Sequence, residues 1–318
     1  MANLLLANSL ANSLLSSSSV TNLFLGGRFI GTSFIGEGAA LLAAFLWAAA
    51  TLMFGQLGKQ LSPLVLNMAK GVIAIALMGI TLVIQNYLTA GTELPAQLPQ
   101  LSIMLLVLSG ALGIGLGDTA YFSAINALGA RRALLLETLA PPMTTILAWI
   151  FLSERLSLVT IIAITLTLIG VAWVISERVP GTKSEQTTAG VKISLLATFC
   201  QAAGAVLSRA ALAETNISPL WSSLIRLSAG LVFMALLVAI RPQYLQTVAE
   251  GRLTQASWTV AIKPLKSLKL LSAVAIAAFF ATYLGIWLQQ IALKNTVAGV
   301  AQALLATSPL FVIPLAVI

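Results

Sequence analysis

Apolar residues fall in long blocks along this chain, separated by short stretches rich in proline, glycine and polar residues. The blocks at 71–92, 94–117, 156–176, 270–293 and 295–318 contain no charged residue. Each meets the roughly 20 residues that a helix needs to cross a hydrocarbon core. The pattern predicts helices over about 38–57, 63–88, 99–124, 131–152, 156–177, 191–212, 219–240, 269–293 and 296–318. "TAGTELPAQLP" and "RVPGTKSEQTTAG" read as loops, and the second divides the chain. Residues 1–35 stand apart. "ANSLANSLLSSSS" repeats a tetrad and lacks the basic start of a signal peptide, so 1–35 is read as a disordered low-complexity tail. The fold class expected is an all-α polytopic membrane protein.

The two halves repeat. "LLAAF" at 41–45 matches "LLATF" at 195–199, and "LSPLVLNMAKG" at 61–71 matches "ISPLWSSLIRL" at 217–227. "LGDTAYFSAINALGA" at 116–130 matches "LGIWLQQIALKNTVA" at 284–298. These registers set Lys70 opposite Arg226 and Pro141 opposite Pro309. The organisation expected is a first repeat at 36–180, a linker at 181–190 and a second repeat at 191–318. Five helices in the first unit bring the second into the membrane upside down, as an inverted-topology pair. The counterpart of the fifth helix would begin past Ile318. About nine helices are therefore expected, with the tenth missing and the chain read as a fragment.

Composition narrows the function. Of 318 residues, 59% are hydrophobic and 8% charged, against about 25% charged in a soluble domain. The net charge of +8 sits in short loops, which suits membrane topology rather than nucleic acid. One cysteine, Cys200, allows no internal disulfide. The absence of histidine removes Ser–His–Asp and Cys–His catalysis and histidine metal sites. No enzymatic role, metal or cofactor is expected.

"AINALGARRALLLETLAPPMTTILAWIFLSERLSLVTIIAITLTLIGVAWVI" resembles the end of an EamA repeat, from the drug/metabolite transporter superfamily. The likeness rests on small residues after the third helix, a proline in the fourth, a Glu-Arg turn and a glycine-bearing fifth helix. It covers about 37–318. "LSERL" at 152–156 stands where the family commonly has Leu-Gly-Glu-Arg-Leu, with Ser153 replacing the glycine. The resemblance implies ten helices in two repeats and the export or exchange of metabolites, amino acids or drugs. It implies an inside N-terminus, whereas the basic loop residues vote for an outside one.

Ionisable residues inside spans are rare and usually face a cavity or a partner. Lys70 lies roughly 12 Å into the second helix, Asp118 roughly 9 Å from the end of the third, and Glu137 roughly 8 Å into the fourth. All three depths are counted from one side. One reading is a substrate or proton-coupling site, with Lys70 neutralising one acid and the other open to a proton or cationic group. The other is a structural ion pair, with Glu137 snorkelling toward Arg131 and Arg132. In the second half Ile286 and Leu305 replace the two acids, leaving Arg226 with the amides Gln201, Gln289, Gln290 and Gln302. That asymmetry suits a zwitterionic or polar organic cargo, although amides also bond helix to helix. Trp47, Tyr121 and Trp287 either line a cavity or pack. Pro141, Pro142 and Pro309 are expected to kink their helices, for gating or as static bends.

The function expected is secondary transport of a small polar organic metabolite or amino acid by alternating access. The alternative is a non-transporting membrane subunit or scaffold that needs a partner to complete the second repeat. The partners expected are the lipid bilayer, a small-molecule substrate and a proton or counter-substrate. The location expected is the cell (plasma or inner) membrane, multi-pass.

Overall fold

The computed structural model describes residues 34–88, 99–154, 158, 161–162, 165–166, 169, 184–213, 215–249 and 252–315. The chain opens with α1 (Ile35–Leu57), α2 (Pro63–Leu88) and α3 (Gln100–Leu128). Two half-helices follow, α4 (Ala130–Glu137) and α5 (Ala140–Leu152). The second half contains α6 (Ser184–Leu212), α7 (Pro219–Ile240) and α8 (Leu268–Asn295), then the half-helices α9 (Ala298–Leu305) and α10 (Ser308–Leu315). Among the described residues, seven helices are long and apolar enough to cross a membrane. The tail expected at 1–35 lies outside the described residues up to 33, and Ile35 already opens α1. Most of the helix expected at 156–177 also lies outside them, and its described positions are helical. Within the linker expected at 181–190, α6 begins at Ser184.

One departure from an all-helical chain lies between α7 and α8. β1 (Gln246–Ala249) pairs antiparallel with β2 (Arg252–Gln255), Gln246 facing Gln255. Leu245 before the hairpin and Ala261 after it are buried with Leu57, Leu61, Val238 and Leu270. The excursion is therefore packed onto the helix ends.

Packing follows from small residues. α1 buries Ala39, Ala40, Ala43, Ala44 and Ala48, a smooth face that lets α8 and α9 approach closely. On α3, Gly110 and Gly113 play this part against α7 and α6. Ser109 Oγ donates to Gly204 O at 2.6 Å, joining α3 to α6. Outward faces are apolar: Val72, Ile80, Val83 and Ile84 of α2 and Val232, Leu236 and Ile240 of α7 are exposed. Such faces would drive aggregation in water and are the solvated surface in lipid.

The two halves run in opposite senses. Lys70 and Asn67, early in α2, meet Asp118 and Thr119, late in α3, so these helices are antiparallel. α1 and α3 therefore point the same way. α1 starts beside Asn295 and Thr296 at the end of α8, as Gly36 shows. α6 starts beside Ala127 and Leu128 at the end of α3, as Gly190 shows. α6 thus enters from the side where α1 ends.

Candidate functional site

The site is built on irregular backbone that recurs in both halves. α3 contains a π-helical segment, Gly110–Asp118, and α8 contains another, Ala278–Leu284. In the register that aligns "LGDTAYF" with "LGIWLQQ", both segments start at the same position. The wider turn releases backbone carbonyls from their usual partners. Asn67 Nδ2 donates to Ile114 O at 2.7 Å in the first segment, and Trp47 Nε1 donates to Ala281 O at 2.8 Å in the second. The fourth helix of each half is broken in the matching place as well, at 138–139 between α4 and α5 and at 306–307 between α9 and α10. Discontinuous helices of this kind are tolerated at membrane depth where they line a cavity.

Between the halves lies a cavity of about 130 Å³. Its lining follows the repeat: Trp47 and Gln201, Lys70 and Arg226, Asp118 and Ile286, Tyr121 and Gln289, and Glu137 and Leu305 all reach it. Asp118 has both oxygens occupied. Lys70 Nζ donates to Oδ2 at 2.5 Å, and Gln201 Nε2 donates to Oδ1 at 2.7 Å. Lys70 also sits 4.9 Å from the Phe122 ring centre and 5.9 Å from that of Phe54, favourable positions for a cation.

Glu137 is held far less firmly. Its neighbour is Thr198 Oγ1, 3.3 Å from Oε2, but Ser194 O is nearer to that hydroxyl at 2.9 Å. A hydroxyl has one hydrogen, so the closer carbonyl takes most of it. Glu137 belongs to neither of the ion pairs Lys70–Asp118 and Arg209–Glu154. Arg226 is buried on the other wall and donates through Nη1 to Gln289 Oε1 at 3.2 Å. The cavity thus combines a neutralised acid–base pair, a weakly held carboxylate and a guanidinium whose described partner is an amide.

Comparison with known proteins agrees with this architecture. The sequence model of the EamA-like transporter family matches residues 34–176 and again 188–318. The chain belongs to the EamA-like transporter family. That family lies within the drug/metabolite transporter superfamily, and the chain is an integral, multi-pass membrane protein with two EamA repeats. A solved crystal structure has a TM-score of 0.60 at 18% identity, covering 89% of this chain and 86% of that one. At that identity the likeness shows the fold alone. No curated protein sequence matches the chain.

Not every residue singled out in this EamA-like chain reaches the cavity. Gln302 and Pro309 do. Trp287 does not: it packs on Tyr283, ring centres 6.0 Å apart, beside the buried cluster around Leu220 and Leu227. Gln290 is fully buried elsewhere and accepts from Ser222 Oγ at 2.8 Å, tying α8 to α7. The prolines also differ from expectation. Pro141 and Pro142 sit in the first turn of α5 and Pro309 in that of α10, where a helix needs no backbone donor. They start half-helices rather than kink continuous ones, and Pro141 and Pro142 stand outside the lining. Thr51, Thr138 and Ser308 are lining residues that the sequence reading missed. Thr138 lies in the first helix break and Ser308 directly follows the second, so locating those breaks first would have found them.

Ser153 adopts φ 53° at the end of α5, the left-handed conformation that glycine takes without strain. This explains the glycine usual in the family at that place. The turn positions Glu154, whose Oε1 accepts from Arg209 Nε and from the backbone N of Ala298, each at 3.4 Å. Arg209 Nη1 also donates to Leu293 O and Lys294 O, and Lys294 Nζ donates to Ile217 O. The network ties α5, α6, α8 and α9 together on one side of the bundle.

Proposed function

We propose that this chain is a secondary transporter, an exporter or exchanger of a small polar organic metabolite or amino acid. It works by alternating access between its two inverted repeats, in the cell membrane and without a covalent step or cofactor. The observation that carries the reading is the charged cavity at the junction of the repeats, lined by matched positions from both. Substrate sites of inverted-repeat transporters lie at that junction and use discontinuous helices. Rocking one repeat against the other would expose the cavity to each side in turn.

Lys70, Asp118, Glu137 and Arg226 form the polar part of the site in this reading, and Trp47, Tyr121, Gln201, Gln289 and Gln302 shape its walls. Lys70 and Asp118 neutralise one another and fix α2 against α3. Glu137 is free to take a proton or a cationic group. A proton or a counter-substrate is the coupling partner, and Glu137 is the carboxylate open to it. Flux of labelled amino acids and amines in protein-containing vesicles tests this. Transport above that of empty vesicles is expected, reduced in Glu137→Gln and Asp118→Asn; unchanged flux and pH response in both would overturn the site.

A further inference from the structure

The repeat symmetry exposes an imbalance. Lys70 and Arg226 occupy the same position in the two halves, and both line the cavity. Lys70 has its counter-ion, Asp118, on the third helix of its own repeat. The matching position in the second repeat is Ile286, which lines the same cavity and brings no charge. Arg226 is 1% exposed, and among the described residues no carboxylate lies within 4 Å of it. Nη1 donates to Gln289, Nη2 lies against Gly113, and Nε is buried without a partner. The acid that acts on it through space, Asp118, lies beyond 4 Å and is already paired with Lys70, and a buried guanidinium with no anion in contact is costly in a low-dielectric interior. An unmet donor on a planar fork is the feature that favours a carboxylate over a point-like anion.

We infer that Arg226, with Gln289 beside it, is the binding site for the carboxylate of a small organic substrate, which supplies the counter-ion that Ile286 does not. The inference rests on the cavity being the translocation site and narrows its cargo to carboxyl-bearing molecules. Gln289 holds the guanidinium in place and offers its amide N–H to the same ligand. On binding, the ligand completes in the second repeat the acid–base pair that the first repeat carries internally.

The test uses the purified full chain in detergent. Its unfolding midpoint is followed with acetate, succinate, glutamate, leucine and phenylalanine, each beside its amide, and with chloride and phosphate. At least one carboxylate should raise the midpoint where its amide, chloride and phosphate do not. Arg226→Lys, which keeps the charge but not the fork, should weaken that shift and Arg226→Gln should lose it, with affinity falling about tenfold or more. Ile286→Asp is the decisive variant: it builds an internal counter-ion, so it should fold normally and no longer respond to carboxylates. Amides or inorganic anions acting as well as carboxylates, no carboxylate acting, or Ile286→Asp retaining the full response would each overturn the inference. Flux into vesicles separates it from the transport reading. A carboxylate that binds without being moved removes only the transport reading, and transport of amines lacking a carboxyl group removes only this inference.

Discussion

Lys70 and Asp118 join α2 to α3 through a contact of 2.5 Å, with their side chains only 6% and 13% exposed. A buried ion pair gains little over an apolar pair, yet removing one partner strands the other charge. Lys70→Met, Asp118→Asn or Asp118→Leu alone should therefore cost about 3–5 kcal/mol of stability. The double replacement Lys70→Met with Asp118→Leu should recover most of that loss. A double-mutant cycle on unfolding midpoints in detergent measures it; additive costs would show that the two charges act independently.

Much of this was legible in the sequence for a simple reason. In a chain 8% charged, a lysine, an aspartate and a glutamate inside apolar runs stand out, and helical rise sets their depth. The repeat was legible because Ser-Pro-Leu and a basic residue recur in order. The π-segments were not. A wider turn leaves little trace beyond the glycines of "GALGIGLGD", yet it rotates later side chains by about 100° per inserted residue. Trp287 follows the second π-segment, so its facing could not be read from regular helical periodicity. The breaks in the fourth helices had a visible cue in their prolines, whose place in a first turn rather than a kink depends on where the preceding half-helix stops. The hairpin at 246–255 had only a weak cue, in two four-residue strands without strong alternation.

Helix contact at Gly110 gives a stringent packing test. A methyl group there would collide with the backbone of Arg226, which cannot move aside as a flexible side chain could. Gly110→Ala should destabilise by about 1–3 kcal/mol. Gly79 in α2 has no atom within 4 Å of the same added group. Gly79→Ala should be neutral or stabilising by up to about 1 kcal/mol. Equal midpoints for the two variants would mean that α3 and α7 are not in close contact.

Ser153 supplies a stabilising change. Its left-handed backbone, φ 53°, carries a steric cost that glycine lacks. Ser153→Gly should raise stability by up to about 1–2 kcal/mol, and Ser153→Val should lower it. The order Gly above Ser above Val in unfolding midpoint checks the conformation of this turn.

Glu154 and Arg209 form a half-buried pair, with side chains 20% and 17% exposed, at a junction of four helices. If this network holds one side shut, Glu154→Gln should ease its opening. A Gln302→Cys substitution in a Cys200→Ser background places a thiol in the cavity wall. A water-soluble thiol reagent should label it about 5–30-fold faster once the tie is weakened by about 1–2 kcal/mol. An unchanged labelling rate from both sides of the membrane would show that the network braces the fold without gating it.

Glu137 differs from Asp118 in the way that matters for coupling. Asp118 accepts from Lys70 on one oxygen and from Gln201 on the other. Glu137 shares one hydroxyl that lies closer to a backbone carbonyl. Glu137 can therefore accept a proton or a cationic group without first breaking an ion pair, whereas Asp118 must surrender Lys70. Glu137→Gln keeps the shape and removes the exchangeable charge. Its unfolding midpoint should be unchanged or higher, unlike that of Asp118→Asn. Its flux should fall about 10–100-fold, the loss expected for one hydrogen bond to a charged group. An imposed pH gradient should no longer drive what flux remains. Flux that still responds to the gradient in Glu137→Gln, but not in Asp118→Asn, would move the coupling role to the ion pair.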